Sequence, residues 1–457
     1  MKIITQNEKI LYIGIDVHKD TYSLCSFDFH KNELSDEMTI KATTKAVIKY
    51  LEAIQKKDKE EILFACGYEA GPTGYGLCRG LQKAGYGCVV MAPTTMSNPD
   101  GKKRVKTDRI DARAIARILA YKSYSQVHLP SEEMEALKEY TRARDAKKRM
   151  FKKAKQELLS FLLRNGKSYP ESGNYWTEKF FKWIKTVQFS EKWMQEALNE
   201  YLSEVYSLKA KIELMDARIR EIAELEIVKD KVDKLICFSG IDVITAVETV
   251  VEINDFSRFA TAAQFVSYLG LCPGEDSSGK TKNMLSLTKA GNKRVRALFC
   301  ESAKAIKRTN PYGQKSKRIL KRQKNASPEI VAYADKATKR IRTKMKHLEE
   351  RGKNYNVSSA AGARELVCFV WGMMNGKIAE FIIHILSSEI KKRWRKRGRF
   401  ELSSFLLWAK QGEILANCRL IDRKNFWRII DLSVMVEQSV LLNPRISGWS
   451  SAENLDF

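Results

Sequence analysis

The chain has 457 residues, with 81 Lys and Arg against 55 Asp and Glu, a formal net charge of +26, 44% hydrophobic residues and 9 prolines. This length and apolar content suffice for two or three domains with packed cores, which excludes a disordered or collagen-like chain. Few prolines and 30% charged residues favour a protein with much helix.

The excess of positive charge predicts a polyanionic partner, either nucleic acid or an anionic membrane surface. The most apolar stretch, residues 366–386, is interrupted by Asn375, Lys377 and Glu380. The N-terminus lacks the charged and then apolar pattern of an export signal. We therefore expect a cytoplasmic protein with no membrane partner.

The nine cysteines are scattered, without a C-x-x-C pair. Such a distribution is typical of reduced core thiols, not of disulfides or zinc ligands. The five histidines are equally isolated along the sequence. This spacing argues against a histidine-built metal site and against a Ser-His-Asp triad.

In chain order, residues 10–28 contain two apolar halves around a polar turn, which predicts a β-hairpin. Apolar spacing predicts a helix over 41–57, and "EILFACGYEA" predicts a buried strand. "GYGLCRGLQKAG" and "YGCVVMAP" predict another helix and strand, and a further helix is expected to begin at Thr107, which can cap it. Alternating strands and helices predict an α/β sheet in the first 130 residues.

Later segments have different patterns. Residues 131–234 carry apolar residues at three- and four-residue steps among many charges, which predicts a helical or coiled-coil region interrupted near 166–173. Residues 235–388 are less charged at first and predict a mostly α domain, with a helix over 361–375. The last segment, 389–457, is a basic extension with three tryptophans after its basic block.

Four acids have a placement that suggests chemistry. Asp16 follows an apolar run, Glu69 closes a second buried strand, and Asp108 and Asp111 share a face of the predicted helix. Clustered carboxylates repel each other unless cations hold them, and oxygen ligands suit Mg²⁺ or Mn²⁺. Two such ions can activate the attacking oxygen and stabilise the leaving oxygen of a phosphodiester. Their order, strand, strand and helix, is that of ribonuclease-H-like and RuvC-like nucleases, although each acid alone could be a surface or capping residue.

Two groups of basic residues are candidates for contacts with a phosphate backbone. The first surrounds the helix acids and comprises Lys102, Lys103, Arg104, Lys106, Arg109 and Arg113. The second follows Ser277 and Ser278 in "DSSGKTKNMLSLTKAGNKRVRALF" and comprises Lys280, Lys282, Lys289, Lys293, Arg294 and Arg296. A serine among cations could attack a phosphodiester, and the alternative is a loop without catalytic role.

Residues 235–274 resemble a helix-hairpin-helix, whose turn amides bind phosphate. The turn is 239–242, and Asp242 replaces the usual second glycine. A carboxylate weakens a phosphate site, so a purely structural helix pair is an equal alternative.

Together these segments resemble the IS110/IS1111 family of transposases. The matching residues are "YIGIDVHKDTYSLCSFD", "YEAGPTGYGLCRGLQKAGY", "KTDRIDARAIARIL", "GLCPGEDSSGKTKNMLSLTKAGNKRVRALF" and "GARELVCFVWGMM", within about residues 10–375. The resemblance implies a RuvC-like (ribonuclease-H-like) domain at 1–130, a helical region at 131–234, a transposase domain at 235–388 and an extension without counterpart at 389–457. It implies a metal-binding catalytic tetrad of Asp16, Glu69, Asp108 and Asp111, and a nucleophile at Ser278, with Ser277 as second choice.

The same resemblance implies a DNA recombinase of an insertion sequence. A bridge RNA encoded by the element would pair with donor and target DNA, and dimers that join acid and serine sites across protomers would assemble into a tetramer. Alternatives within the enzymes are a site-specific DNA invertase of the same superfamily and a RuvC-like nuclease that only hydrolyses. The alternative outside the enzymes is a basic RNA- or DNA-binding protein with a decayed catalytic domain.

Overall fold

The structure of the chain is a computed structural model that describes residues 9–96, 107–170, 175–276, 283–310 and 314–378. The chain divides into two compact units, Met1–Glu133 and Met134–Phe457. The predicted domain boundaries at residues 130, 234 and 388 stay predictions.

The first unit contains a five-stranded sheet whose strands are β1 Lys9–Val17, β2 Thr21–Asp28, β3 Glu33–Lys41, β4 Ile62–Glu69 and β5 Gly87–Met91. Their order in the sheet is β3-β2-β1-β4-β5. β2 is antiparallel to β1 and β3, whereas β4 is parallel to β1 and β5. β1 is therefore the central strand, and its Ile13 and Ile15 are fully buried.

The helical elements of the first unit are α1 Thr44–Lys57, α2 Gly76–Lys83, a 3-10 turn at Pro93–Thr95 and α3 Asp108–Ala120. The hydroxyl of Thr43 accepts a hydrogen bond from the Ala46 amide and caps α1. α1 buries Val47, Leu51 and Ile54, which recur at helical spacing. The hairpin and the alternation of strands and helices expected from the sequence are present in this unit.

The second unit is mostly helical. Its helices are α4 Glu132–Arg164, α5 Glu178–Ile184, α6 Lys192–Ile222, α7 Glu226–Leu235, α8 Val243–Ile253, α9 Ala262–Tyr268, α10 Lys293–Lys307, α11 Lys317–Gln323, α12 Pro328–Glu350 and α13 Tyr355–Met374. A hairpin of β6 Pro273–Glu275 and β7 Met284–Leu287 lies between α9 and α10. α4 and α6 have 33 and 31 residues, as the charged periodic pattern predicts for long helices.

The core of the second unit forms around α8 and α13. α8 has buried residues on every side, and α13 is apolar enough to be buried along most of its length. α13 begins at Tyr355, six residues before the predicted start at 361, because Asn354 caps it through the amide of Asn356. Among the described residues, no helix is long and apolar enough to cross a membrane.

Candidate active site

Two of the four acids lie near the carboxyl ends of neighbouring parallel strands. Ile15 of β1 is paired with Tyr68 of β4, so the residues that follow them are Asp16, next to last in β1, and Glu69, the last of β4. The Asp16 side chain is 17% exposed, and Glu69 is exposed. The strand ends thus bring together acids that are separated by most of an α/β unit in sequence.

Gly14 allows α3 to lie directly on the sheet. A Cβ at Gly14 would be 2.2 Å from the Ala112 carbonyl oxygen of α3 and 2.3 Å from the Ala116 nitrogen. Gly67, the partner of Gly14 on β4, lies under Leu119 of the same helix. Because side chains two apart share a strand face, Asp16 and Glu69 are on the face that α3 covers.

The other two acids lie in the first turn of α3. The Thr107 hydroxyl accepts from the Ile110 amide, so the predicted cap and start of this helix are confirmed. Asp108 is exposed and Asp111 is half-buried. Since α3 contacts β1, its N-terminus places Asp108 near Asp16, and we call the four residues Asp16, Glu69, Asp108 and Asp111 the acidic edge.

His18 lies between two acids of this edge. Its Nε2 atom is 3.1 Å from Asp16 Oδ2 and 3.4 Å from Asp108 Oδ1. One ligand atom from each of the three residues falls within 4.8 Å of the others. The spacing of the histidines in the sequence did not indicate this position of His18, because it contains nothing about the approach of α3. The sequence feature that could have indicated His18 is its position in the turn directly after the strand that carries Asp16.

The acidic edge disfavours a charged Asp16. Burial raises the pKa of the Asp16 carboxyl, His18 lowers it, and the neighbouring Asp111 and Asp108 raise it further, with a net rise. A cation bound among these carboxylates would reverse that balance. The donor set therefore fits a divalent cation.

The first predicted group of basic residues, around the acids of α3, is only partly described. Lys102, Lys103, Arg104 and Lys106 lie outside the described residues, and Arg109 is exposed. Arg113 donates two hydrogen bonds to the Glu37 carboxylate of β3, at 2.6 and 2.8 Å. A phosphate would have to compete with Glu37 for this guanidinium.

The candidate nucleophiles Ser277 and Ser278, with Lys280 and Lys282, also lie outside the described residues. The hairpin residues on either side of them are described, and there the Asp276 amide donates to the Asn283 carbonyl at 2.9 Å. Lys289 and Lys293, which follow the hairpin, are exposed.

The base of this hairpin is tightly fixed. Gly291 has a φ of +72°, and a Cβ there would be 1.9 Å from the Tyr268 carbonyl oxygen. Arg296 donates to the Leu269 and Ala290 carbonyls at 2.8 and 3.0 Å. Arg296 therefore holds the hairpin base within the unit, a role that its place in a basic run does not reveal.

A buried network of charges lies next to the hairpin base. Glu252 of α8, which is 5% exposed, accepts from Arg142 at 2.8 Å and from Asn292, the cap of α10, at 3.0 Å. Lys138 and Arg294 lie 3.7 and 3.3 Å from the same carboxylate. Arg294, predicted to bind nucleic acid, also pairs with Asp145. This network was missed because its members come from distant helices.

The turn of the helix-hairpin-helix candidate is filled by the unit's own groups. The Asp242 carboxylate accepts from the Thr245 amide at 2.8 Å and caps α8. Arg322 donates to the Ser239 carbonyl at 3.2 Å and to the Ile241 carbonyl. A Cβ at Gly240 would be 2.2 Å from the Ser302 carbonyl oxygen. These contacts favour the structural alternative over a phosphate site.

Comparison with known proteins assigns the chain to a family. Residues 13–165 match the model of a DEDD transposase domain of IS110 elements, and residues 233–318 match that of the transposase IS116/IS110/IS902 family. Transposase y4qE of Sinorhizobium fredii is 33% identical over 363 residues, which are 79% of this chain and 88% of that protein. The transposase for insertion sequence element IS1533 of Leptospira borgpetersenii is 31% identical over 345 residues, 75% of this chain and 98% of that protein. The transposase for IS1111A of Coxiella burnetii is 22% identical over 308 residues, 65% and 78% of the two chains. The chain belongs to the IS110 family of transposases.

Proposed function

We propose that the chain is an RNA-guided DNA recombinase that moves an insertion sequence, using a metal-bound acidic edge and a serine nucleophile. Membership of a transposase family implies a DNA substrate and the cleavage and transfer of DNA strands. The observation that carries the proposal is that ligand atoms of Asp16 and Asp108 lie within 4.8 Å of each other, at the edge of the sheet where Glu69 ends the strand beside β1.

We assign a RuvC-like, ribonuclease-H-like fold to the first unit. Support comes from the sheet order β3-β2-β1-β4-β5, in which only β2 is antiparallel to the others. In this arrangement the central strand presents Asp16 at the same end as Glu69. The strand order and the chain order of the acids are independent features, and both agree with this assignment.

The acidic edge is proposed to hold Mg²⁺ or Mn²⁺ through Asp16, Glu69, Asp108 and Asp111. When bound, divalent ions supply Lewis-acid activation of an attacking oxygen and stabilise the leaving oxygen of a phosphodiester. The chain's own contribution is to hold the carboxylates on rigid elements. Gly14 fixes α3 against β1, and the β1 and β4 pairing fixes Asp16 beside Glu69.

Ser278, with Ser277 as second choice, is the proposed nucleophile. Its hydroxyl would lose its proton as Oγ bonds to phosphorus, the bond from phosphorus to a sugar oxygen would break, and that oxygen would take up a proton. The covalent link conserves the phosphodiester energy, so strands can be rejoined without ATP. The fixed hairpin base and the exposed Lys289 and Lys293 suit a loop that receives a phosphate backbone.

The proposed partners are donor DNA, target DNA, a noncoding bridge RNA and further copies of the chain. A net charge of +26 suits simultaneous contact with two polyanions. Since base pairing would read the sequence, the protein needs mainly backbone and shape contacts. We propose dimers that assemble into a tetramer, with acidic edge and serine supplied by different protomers.

The decisive experiment incubates the protein with Mg²⁺, the RNA encoded beside its gene and labelled donor and target DNA. The expected product is DNA covalently attached to protein, detected after denaturing electrophoresis. Ser278→Ala or Ser277→Ala should abolish the adduct, and Asp16→Asn should abolish it as well.

The alternatives give different products. Free cleaved DNA without adduct, unaffected by either serine variant, would replace the recombinase with a metal-dependent nuclease. Recombination at fixed sites without RNA would indicate an invertase. If Asp16→Asn changed no activity while binding persisted, a non-enzymatic nucleic-acid-binding protein would be the better description.

A further inference from the structure

His18 has a position that its surroundings fix without burying its ring. Its backbone amide donates to the Thr21 carbonyl at 3.1 Å and closes the turn between β1 and β2. The side chain is nevertheless 52% exposed. A histidine that served only to pack the core would be buried, whereas this ring is half-exposed and its Nε2 atom faces the carboxylates of Asp16, with which it shares a hydrogen bond, and Asp108.

The distances around Nε2 match those between neighbouring ligands of one cation. In an octahedral site with bonds of about 2.1 Å, adjacent ligand atoms are separated by roughly 3.0 Å. Nε2 of His18 is 3.1 Å from an oxygen of Asp16 and 3.4 Å from an oxygen of Asp108. The three atoms come from one strand, its following turn and a helix N-terminus, which are held together by the packing of α3 on Gly14.

We propose that His18 is a direct ligand of the divalent cation at the acidic edge, beside Asp16 and Asp108. This inference rests on the proposed function, because it adds a nitrogen ligand to the cation site assigned there. Imidazole suits first-row transition metals, whereas Mg²⁺ prefers oxygen ligands. His18 therefore makes the site bind Mn²⁺ more tightly, relative to Mg²⁺, than an all-carboxylate edge would.

Pulsed electron paramagnetic resonance with Mn²⁺ alone tests the ligand directly. In the full-length protein, a histidine ligand gives ¹⁴N modulation of the Mn²⁺ echo, which carboxylates and water do not give. We expect this modulation in the wild type and its loss in His18→Ala. Titration of free Mn²⁺ by the same resonance should show a dissociation constant at least about tenfold higher in His18→Ala, since even an outer-shell partner is worth that much.

His30 provides the matched control. It is an exposed histidine after β2, at the end of the sheet where Asp28 is paired with Leu11, whereas Asp16 is paired with Ser23 near the other end. His30→Ala should keep both the nitrogen signal and the Mn²⁺ affinity. Circular dichroism of both variants checks that the fold is retained.

The outcomes separate this inference from the proposed function. If Mn²⁺ binds and Asp16→Asn weakens it, but the wild type shows no nitrogen modulation, the carboxylate site stands and His18 is not a ligand. If Mn²⁺ fails to bind, or binds equally well to Asp16→Asn, the proposed metal site is wrong and the assignment of His18 falls with it.

Discussion

In the first unit, Asp16 and Asp108 lie near each other with one imidazole between them, whereas in the second unit Glu252 lies among Arg142, Lys138 and Arg294. Burial raises the pKa of both carboxyls. For Asp16 the neighbouring acids add to the rise, but for Glu252 the hydrogen bond from Arg142 and the charge of Lys138 outweigh burial and lower the pKa.

This difference separates a carboxylate whose charge is compensated within the unit from one whose charged form its surroundings disfavour. Glu252 has its counter-charges within its own unit, so folding of that unit is enough to compensate its charge. For Asp16, burial together with the neighbouring Asp111 and Asp108 outweighs the opposing effect of His18, so folding leaves the charged carboxylate disfavoured. Residue type and burial therefore do not indicate function until the neighbouring charges are known.

The largest loss of stability is expected when the cations around Glu252 lose the carboxylate that they share. Glu252→Ala leaves Arg142, Lys138 and Arg294 without their shared carboxylate and removes the acceptor of Asn292. We expect the free energy of unfolding to fall by about 3 kcal/mol, measured by urea denaturation. Glu139→Ala, which removes the exposed partner of Arg142, should change it by less than about 1 kcal/mol. If Glu252→Ala lowered the free energy of unfolding as little as Glu139→Ala does, the network would contribute no stability.

Gly14→Ala tests whether the packing of α3 holds the acidic edge together. The added methyl would meet backbone atoms of Ala112 and Ala116, so α3 must move away from β1. We expect the free energy of unfolding to fall by about 1–3 kcal/mol, measured by urea denaturation. We also expect weaker Mn²⁺ binding, measured by titration of free Mn²⁺ with electron paramagnetic resonance. Gly76→Ala is the control, since a Cβ there meets nothing within 4 Å. Unchanged metal affinity in Gly14→Ala would show that the edge does not depend on this contact.

The sequence predicted what short-range patterns encode. Alternation and helical spacing placed β1, β4 and α3, and so the acids at their ends, while Thr107 marked the start of α3. It did not predict contacts that depend on how distant elements pack. Glu37 and Arg113 are 76 positions apart, and Arg144 and Glu248 are 104 apart.

His18 was missed for a related reason. Its contact with Asp16 is local, but its contact with Asp108 exists because Gly14 lets a helix that begins 90 residues later lie on the sheet. Neither the spacing of histidines nor their number contains that information. A residue next to a predicted strand acid is thus a better candidate ligand than its isolation in the sequence suggests.

The stability of the second unit should depend on pH through Glu248, a buried carboxyl that differs from Glu252. Burial raises the pKa of this carboxyl to about 7, and the nearby Asp145 adds to the rise against the pull of Arg144. Arg144 also donates to Asp216 at 2.6 Å, and its guanidinium is charged at every pH of this experiment. Since the folded pKa lies above the unfolded value, the folded state binds more protons between pH 4.5 and about 7, and stability falls as pH rises through that window.

We expect the wild type to lose roughly 1 kcal/mol per pH unit in that window relative to Glu248→Gln, which cannot titrate. Urea denaturation of both proteins from pH 4.5 to 8 measures the difference. Above about pH 7 the two curves should run parallel. Parallel curves over the whole range would mean that Arg144 keeps Glu248 ionised throughout, as Glu252 is kept by its cations.

The smallest effect concerns Arg113, which pairs with the Glu37 carboxylate at the surface of the first unit. Its pair with Glu37 is partly solvent-accessible, with side chains 45% and 24% exposed, so Arg113→Ala should cost less than about 1 kcal/mol of stability.

If Arg113 leaves Glu37 to bind DNA phosphate, Arg113→Ala should lower the salt dependence of DNA binding by about one unit of slope. Glu37→Gln should then strengthen binding, because it releases the guanidinium that Glu37 holds. Fluorescence anisotropy over a salt series measures both, with Lys57→Ala as the control, since Lys57 is an exposed cation paired with Asp36 outside the two predicted contact groups. No change in slope for Arg113→Ala and no gain for Glu37→Gln would place Arg113 with Arg296, as a cation whose role is to hold its own unit together.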